Sequence, residues 1–279
     1  MRRQIERLAR ERGAKQLAAA YYDYETQTAW SYHGDRWFHA ASTIKVAILL
    51  ALFDAIEQGR FAPGSRLHVR NRFLSAVHDE PFRVEGDRDA NGDVHAAVGK
   101  LMKVDELAFH MITTSSNLAT NLLLDAVGVE AACETLRRLG LRGVALRRGV
   151  EDERAFEAGI NNEVTANGLL HLFRLIHEER AFEAGTSHRM REILLAQAFR
   201  SGIPAGVPED VRREARFAHK TGEISTVAHD AGIVFLPNRK PYVVAILTEW
   251  DAGAEGRTET VALASRMIYD HLTEAEPAA

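Results

Sequence analysis

The sequence predicts an α+β fold: an antiparallel sheet of about five strands, flanked by N- and C-terminal helices, with an inserted all-helical subdomain. Three observations lead there. Strand-like segments occur only near the two chain ends. Helical periodicity fills the long middle. One early helix is apolar on nearly every side, the mark of a buried central helix.

The elements follow in chain order. Residues 4–12 set Ile5 and Leu8 three apart among polar neighbours, which predicts a short amphipathic helix. Leu17–Tyr24 and Thr28–Tyr32 are aromatic-rich strands joined by the polar turn Glu25–Gln27. From Ile44 to Gln58 no Gly or Pro intervenes. Val46, Ile48, Leu49, Leu50, Leu52, Phe53 and Ile56 cover most of this helix, and Gly59 stops it. The span 63–100 carries Pro63, Gly64, Pro81, Gly86, Gly92 and several Asp, and reads mostly as loop. Helical patterns then run over Val104–Met111, Asn117–Val127, Val129–Leu139, Thr165–His177 and His188–Phe199. Strand character resumes at 217–220. Val227–Leu236 and Tyr242–Thr248 flank a hairpin turn at 237–241. Glu259–Leu272 ends the chain as a helix, with Val261, Ala264, Ile268 and Leu272 at helical spacing. One domain spanning 1–279 is expected. Residues 1–62 and 213–279 would form its sheet lobe and 63–212 its helical lobe.

Composition narrows the function. Of the 279 residues 46% are hydrophobic, enough for a sizeable core. A net charge of −4 provides no basic field for nucleic acid or an anionic membrane surface, so neither is expected as a partner. The single cysteine, Cys133, excludes an internal disulfide framework, and as part of a helical pattern it reads as a small core residue. No apolar run approaches the ~18 residues of a membrane-spanning helix. Arg2 and Arg3 are followed by no apolar segment. As the chain stands a cytoplasmic protein is expected, or a secreted or periplasmic one if a leader has been removed. The basic residues are 29 Arg and 6 Lys. Lysine is therefore a sparse marker, and arginine cannot replace it where a removable proton is needed.

Three short motifs occur in order: Ser42-Thr43-Ile44-Lys45, Ser115-Ser116-Asn117 and Lys220-Thr221-Gly222. Their joint chance occurrence at this composition is roughly 0.002. Ser42 stands where the apolar helix begins, near free backbone N–H groups and the positive end of the helix dipole. Lys45 lies one turn on, on the same face. Burial there disfavours the ammonium and makes the amine a usable base. Ser115 and Asn117 precede a second apolar helix. Lys220, Thr221 and Gly222 place a cation, a hydroxyl and a residue that permits close approach at a strand end.

On these motifs, and on Met111–Leu124 and His219-Lys220-Thr221-Gly222 around them, the chain resembles the class A serine β-lactamases and related penicillin-recognising serine hydrolases. The likeness runs from about residue 15 to 272 and implies a β-lactamase/transpeptidase-like fold with the active site between the lobes. It implies Ser42 as nucleophile and Lys45 as the group that takes its proton. Ser115 would relay a proton to the departing nitrogen. Asn117 would hold the substrate's side-chain amide, and Lys220 and Thr221 its carboxylate. Gly222 would admit the substrate, and the N–H groups of Ser42 and Glu223 would form the oxyanion hole. A small-molecule β-lactam, amide or ester is the implied substrate, with no cofactor or metal and a monomeric protein. The alternatives are a related amidase, peptidase or esterase, and a penicillin-binding protein acylated without turnover.

The chain departs from the family pattern in three places. Ser116 stands where these enzymes usually have Asp, and the stretch between Ser42 and Ser115 is long, with its excess at 78–95. The deacylating glutamate, in the pattern Glu-x-x-Leu-Asn, is matched most nearly at Glu157–Asn161. This makes Glu157 the candidate base, with Glu151 and Glu153 as rivals on a shortened loop. Asp87–Asp93 resembles the first half of a calcium loop but has Val98 at the twelfth position, so a solvated turn is expected. His229 could face the groove and is assigned no role.

Overall fold

The structure is a computed structural model that describes residues 1–62, 64–78 and 80–274. Pro63 and Asp79, read above as loop, and the last five residues of the expected domain lie outside the described residues. Five antiparallel strands form the main sheet: β1 (Gln16–Asp23), β2 (Thr28–Tyr32), β3 (Arg216–Ile224), β4 (Val227–Phe235) and β5 (Tyr242–Glu249). Their spatial order is β3-β4-β5-β1-β2. The two chain ends meet where β1 pairs with β5, Gln16 opposite Glu249 and Asp23 opposite Tyr242. This order leaves β3 at one edge of the sheet.

The side-chain period of two sorts each strand onto two cores. Leu17, Ala19 and Tyr21 of β1, with Tyr242, Val244 and Ile246 of β5, pack beneath the terminal helices α1 (Arg2–Arg12) and α8 (Arg257–Glu274). Ala18 and Ala20, with Val243, Ala245 and Leu247, face the opposite way into the helical lobe. That lobe contains α2 (Ile44–Glu57), α3 (Val104–Thr113), α4 (Asn117–Val127), α5 (Val129–Arg138), α6 (Ala166–His177) and α7 (Ala184–Leu195). Helix α6 lies against β1, β4 and β5.

Helix α2 is buried from Ile44 to Ala55, as its all-round apolar pattern requires. It packs on α3, α4, α5 and α7. These neighbours surround α2, as an apolar surface on every side requires. The expected helix 188–199 begins and ends earlier, at Ala184–Leu195. The described part of the loop-like span 63–100 holds short pieces, among them a strand at Arg66–His68 that pairs with one just past the span, Leu101–Lys103. Among the described residues, no helix is long and apolar enough to cross a membrane.

Candidate active site

Ser42 lies in a single 3-10 turn, Ala41–Thr43, that leads into α2. Ala41 has φ 45°, a left-handed conformation that sharpens the corner. The turn is wedged against β3. A Cβ built on Gly222 would lie 2.9 Å from the Thr43 nitrogen and 3.1 Å from the Ser42 nitrogen. Glycine is required at 222 because the two backbones nearly touch.

Lys45, one turn along, is fully buried. Its Nζ donates to the Ser115 carbonyl at 2.6 Å, to Asn117 Oδ1 at 2.6 Å and to Ser115 Oγ at 3.1 Å. From the opposite wall Lys220 Nζ donates to the same Ser115 Oγ at 3.0 Å and to the Thr221 carbonyl at 2.9 Å. Lys220 sits inside β3 rather than at its end, since the strand runs on to Ile224. Ser115 is presented by a left-handed turn, φ 59°, between α3 and α4. Gln197 ties the two walls together: its Nε2 donates to the Ile112 carbonyl at 3.0 Å and to the His219 carbonyl at 3.4 Å.

The electrostatics follow from this crowding. Burial lowers Lys45 to about 7, with the carboxylates of Asp89 and Glu151 pulling the other way. Lys220 falls well below the usual lysine range, through burial first and the neighbouring Lys45 charge second, while Asp230 opposes. Two amines around one hydroxyl cannot both carry a full charge cheaply, so the cluster favours at least one neutral amine at neutral pH.

Two cavities adjoin at Ser42. The first is lined by Ser42, Ser115, Asn117, Thr221, Gly222 and His229. His229 is buried and lowered to about 4 by that burial, so it is neutral there, with Nε2 donating to the His39 carbonyl at 2.9 Å and Nδ1 accepting from the Thr248 N–H at 3.2 Å. The second is lined by Ser42, Asn117, Arg148, Glu151, Phe156 and Glu157, among others. Glu223 borders both, but its side chain turns to Arg257 Nη2 at 3.0 Å, which leaves only its backbone for Ser42 chemistry.

Of the three loop glutamates, Glu151 is the one that touches the cluster. It sits at φ 59°, accepts from Asn117 Nδ2 at 2.5 Å through Oε1, and accepts from the Glu85 N–H at 3.1 Å through Oε2. Glu153 pairs with Arg88 at 2.7 Å. Glu157, favoured by the sequence pattern, is exposed at the end of a short helix, Glu153–Glu157. The loop is braced by Asp152, which accepts from Ser75 Oγ at 2.7 Å and the Ala76 N–H at 2.8 Å. Arg148 adds a bond to the Ile160 carbonyl at 2.8 Å.

The solvated turn expected at Asp87–Asp93 is seen at Asp87, Arg88 and Asp93, which are exposed, but is corrected at Asp89. The Asp89 side chain is fully buried, and both its oxygens are taken. Oδ1 accepts from the Asn117 N–H at 2.5 Å, and Oδ2 accepts from Ser116 Oγ at 3.0 Å and the Leu118 N–H at 3.2 Å. Nothing local in the sequence marks Asp89 or Gln197, since their partners lie far along the chain.

A profile described as the beta-lactamase enzyme family matches residues 1–272. The chain belongs to that family. Curated relatives include the β-lactamase PSE-4 of Pseudomonas aeruginosa, 24% identical over 92% of this chain and 85% of that protein. A β-lactamase of Streptomyces fradiae is 27% identical over 92% and 82%. Among solved structures, PBP-A superposes with a TM-score of 0.83 at 26% identity, covering 98% of this chain and 96% of that one. A point mutant of PBP-A in an acyl-enzyme complex with penicillin G gives 0.80 at 25% identity, covering 98% and 96%. The family fold thus accounts for the convergence of three separate chain segments around Ser42. The Asp89 network is where this member places an acid outside its second motif.

Proposed function

We propose that this β-lactamase-family protein opens β-lactam amides through an acyl-enzyme on Ser42. The observation that carries the reading is the Ser115 hydroxyl, held between Lys45 Nζ at 3.1 Å and Lys220 Nζ at 3.0 Å on the rim of a cavity that Ser42 lines.

Neutral Lys45 takes the Ser42 proton as Oγ bonds to the lactam carbonyl carbon. The oxyanion that forms is met by the Ser42 and Glu223 N–H groups. Ser115 hands its proton to the departing ring nitrogen and is reprotonated from the amines beside it. Lys220 and Thr221 hold the substrate carboxylate, and Asn117 the side-chain amide. Glu151, rather than Glu157, is the carboxylate placed to activate water against the ester, since it shares both the second cavity with Ser42 and a bond with Asn117.

One observation favours a second reading, acylation with little turnover. Each Glu151 oxygen already accepts a hydrogen bond, so an attacking water must compete with Asn117 Nδ2 and the Glu85 N–H for it. A chromogenic cephalosporin assay beside intact-mass measurement tests both. Steady turnover that Glu151→Gln slows while an adduct accumulates supports hydrolysis. A lasting adduct on the unaltered protein supports the second reading. Ser42→Ala must lose both activities, and an adduct or turnover surviving in that variant overturns the Ser42 assignment.

A further inference from the structure

We propose that Asp89 is a positioning residue for acylation: from the 86–92 segment it supplies the carboxylate that holds the Ser115–Asn117 turn in reacting geometry. This rests on the acylation reading above. A helix begins with four N–H groups that lack intrahelical partners. At α4, the His110 carbonyl takes that of Ser116 and the Ser116 hydroxyl that of Ala119. Asp89 takes the other two, from Asn117 and Leu118, and also receives the Ser116 hydroxyl. Asn117 is therefore anchored by its backbone to Asp89 while its side chain joins Lys45 to Glu151. Ser115 directly precedes Ser116, whose hydroxyl Asp89 holds. A small displacement of this turn would move the proton relay and the Lys45 partner together, and misplacement by about 1 Å costs up to ~100-fold in rate.

The acid comes from a segment 27 residues upstream, onto a motif whose own middle residue is a serine. Position 116 therefore offers a direct way to relocate the charge. The charged groups facing Lys45 are Asp89 and Glu151, which favour its ammonium, and Lys220, which opposes it. His95 faces Asp89 from the far side, with Nε2 3.1 Å from Oδ2.

The test measures the rate of Ser42 acylation by a chromogenic cephalosporin, with quenched intact-mass readout, across pH. Asp89→Asn should slow acylation at least tenfold and move the midpoint of its rising pH limb downward, because one carboxylate near Lys45 is gone. Ser116→Asp alone should also slow it, by setting two carboxylates against each other. The double variant Asp89→Asn/Ser116→Asp should recover to within about threefold of the unaltered protein, and it keeps the test open if the single variant folds poorly. A capping role alone would lower the melting temperature and leave the rate and midpoint of folded protein unchanged, and that result overturns the proposal. So does a double variant no better than Asp89→Asn. If the unaltered protein forms no adduct, the acylation reading falls and takes this proposal with it. Acylation unimpaired in Asp89→Asn overturns the proposal alone.

Discussion

Near neutral pH Lys45 stands between its two protonation states, because burial lowers it to about 7. Acylation that needs the free amine should therefore rise with pH, with a midpoint near 7 and about tenfold per unit below it. Rapid-mixing rates between pH 5 and 9 would check this, and a flat profile would exclude Lys45 as the base. Lys45→Arg should cost ~100-fold or more at every pH, since guanidinium never yields the proton. The linkage has a definite sign. The unfolded chain keeps the Lys45 proton up to about 10.4 and the folded one loses it near 7, so this residue makes stability rise with pH across that window. At this scale the sequence was legible where chemistry is local. Ser42, Lys45, Ser115, Asn117 and Lys220 sit in short motifs, and they converge. Asp89 and Gln197 act on groups distant in sequence, and no spacing rule reaches them. Glu151 and Glu157 could be ranked only once the loop's path was known.

The elements show where local pattern gives way to contact. Helix α2 was readable from its apolar surface, which no half-exposed helix could carry. Helix α7 ends four residues before the periodic pattern does. There the chain leaves the helix so that the Ala198 N–H can reach the Thr113 carbonyl at 3.1 Å and Gln197 can bridge the walls. Long-range bonds outcompeted local periodicity. The approach of β3 to the Ser42 turn gives a prediction of its own. Gly222→Ala forces a methyl against backbone atoms that cannot move separately, so it should destabilise by roughly 1–3 kcal/mol. It should also lower acylation of the folded protein at least tenfold, by prising the strand from Ser42. Urea unfolding and adduct kinetics on one sample would check both, and unchanged kinetics would mean the close approach is not needed for reaction.

For the whole molecule, the α+β architecture was readable because strands cluster at the chain ends. Which helices pack against which side of the sheet depends on long-range contacts that no local pattern carries. The two ends are bound together by more than the β1–β5 ladder. Arg239 in the hairpin turn donates to Asp23 Oδ1 at 2.6 Å and to the Leu272 carbonyl at 2.9 Å, tying turn, first long strand and last helix. Both partners are buried. Arg239→Ala would strand the Asp23 charge and should cost ~3–5 kcal/mol, a loss that added salt barely alters because solvent ions do not reach the pair. Chemical denaturation at two ionic strengths would check it, and a cost under 1 kcal/mol would show the pair to be surface-like.

The placement of β3 at the sheet border has a consequence for colloidal behaviour. Proteins usually blunt such a border with charge, proline or a covering loop, because its free amides and carbonyls invite another chain to add on. Here the cover comes from inside the fold: Gln197 takes the His219 carbonyl, Lys220 the Thr221 carbonyl, and the Ser42 turn lies against Gly222. The contacts that shape the groove thus also screen the rim from a second chain. Loosening them with Gln197→Ala should speed self-association of concentrated protein, and light scattering of matched samples would show it as faster particle growth.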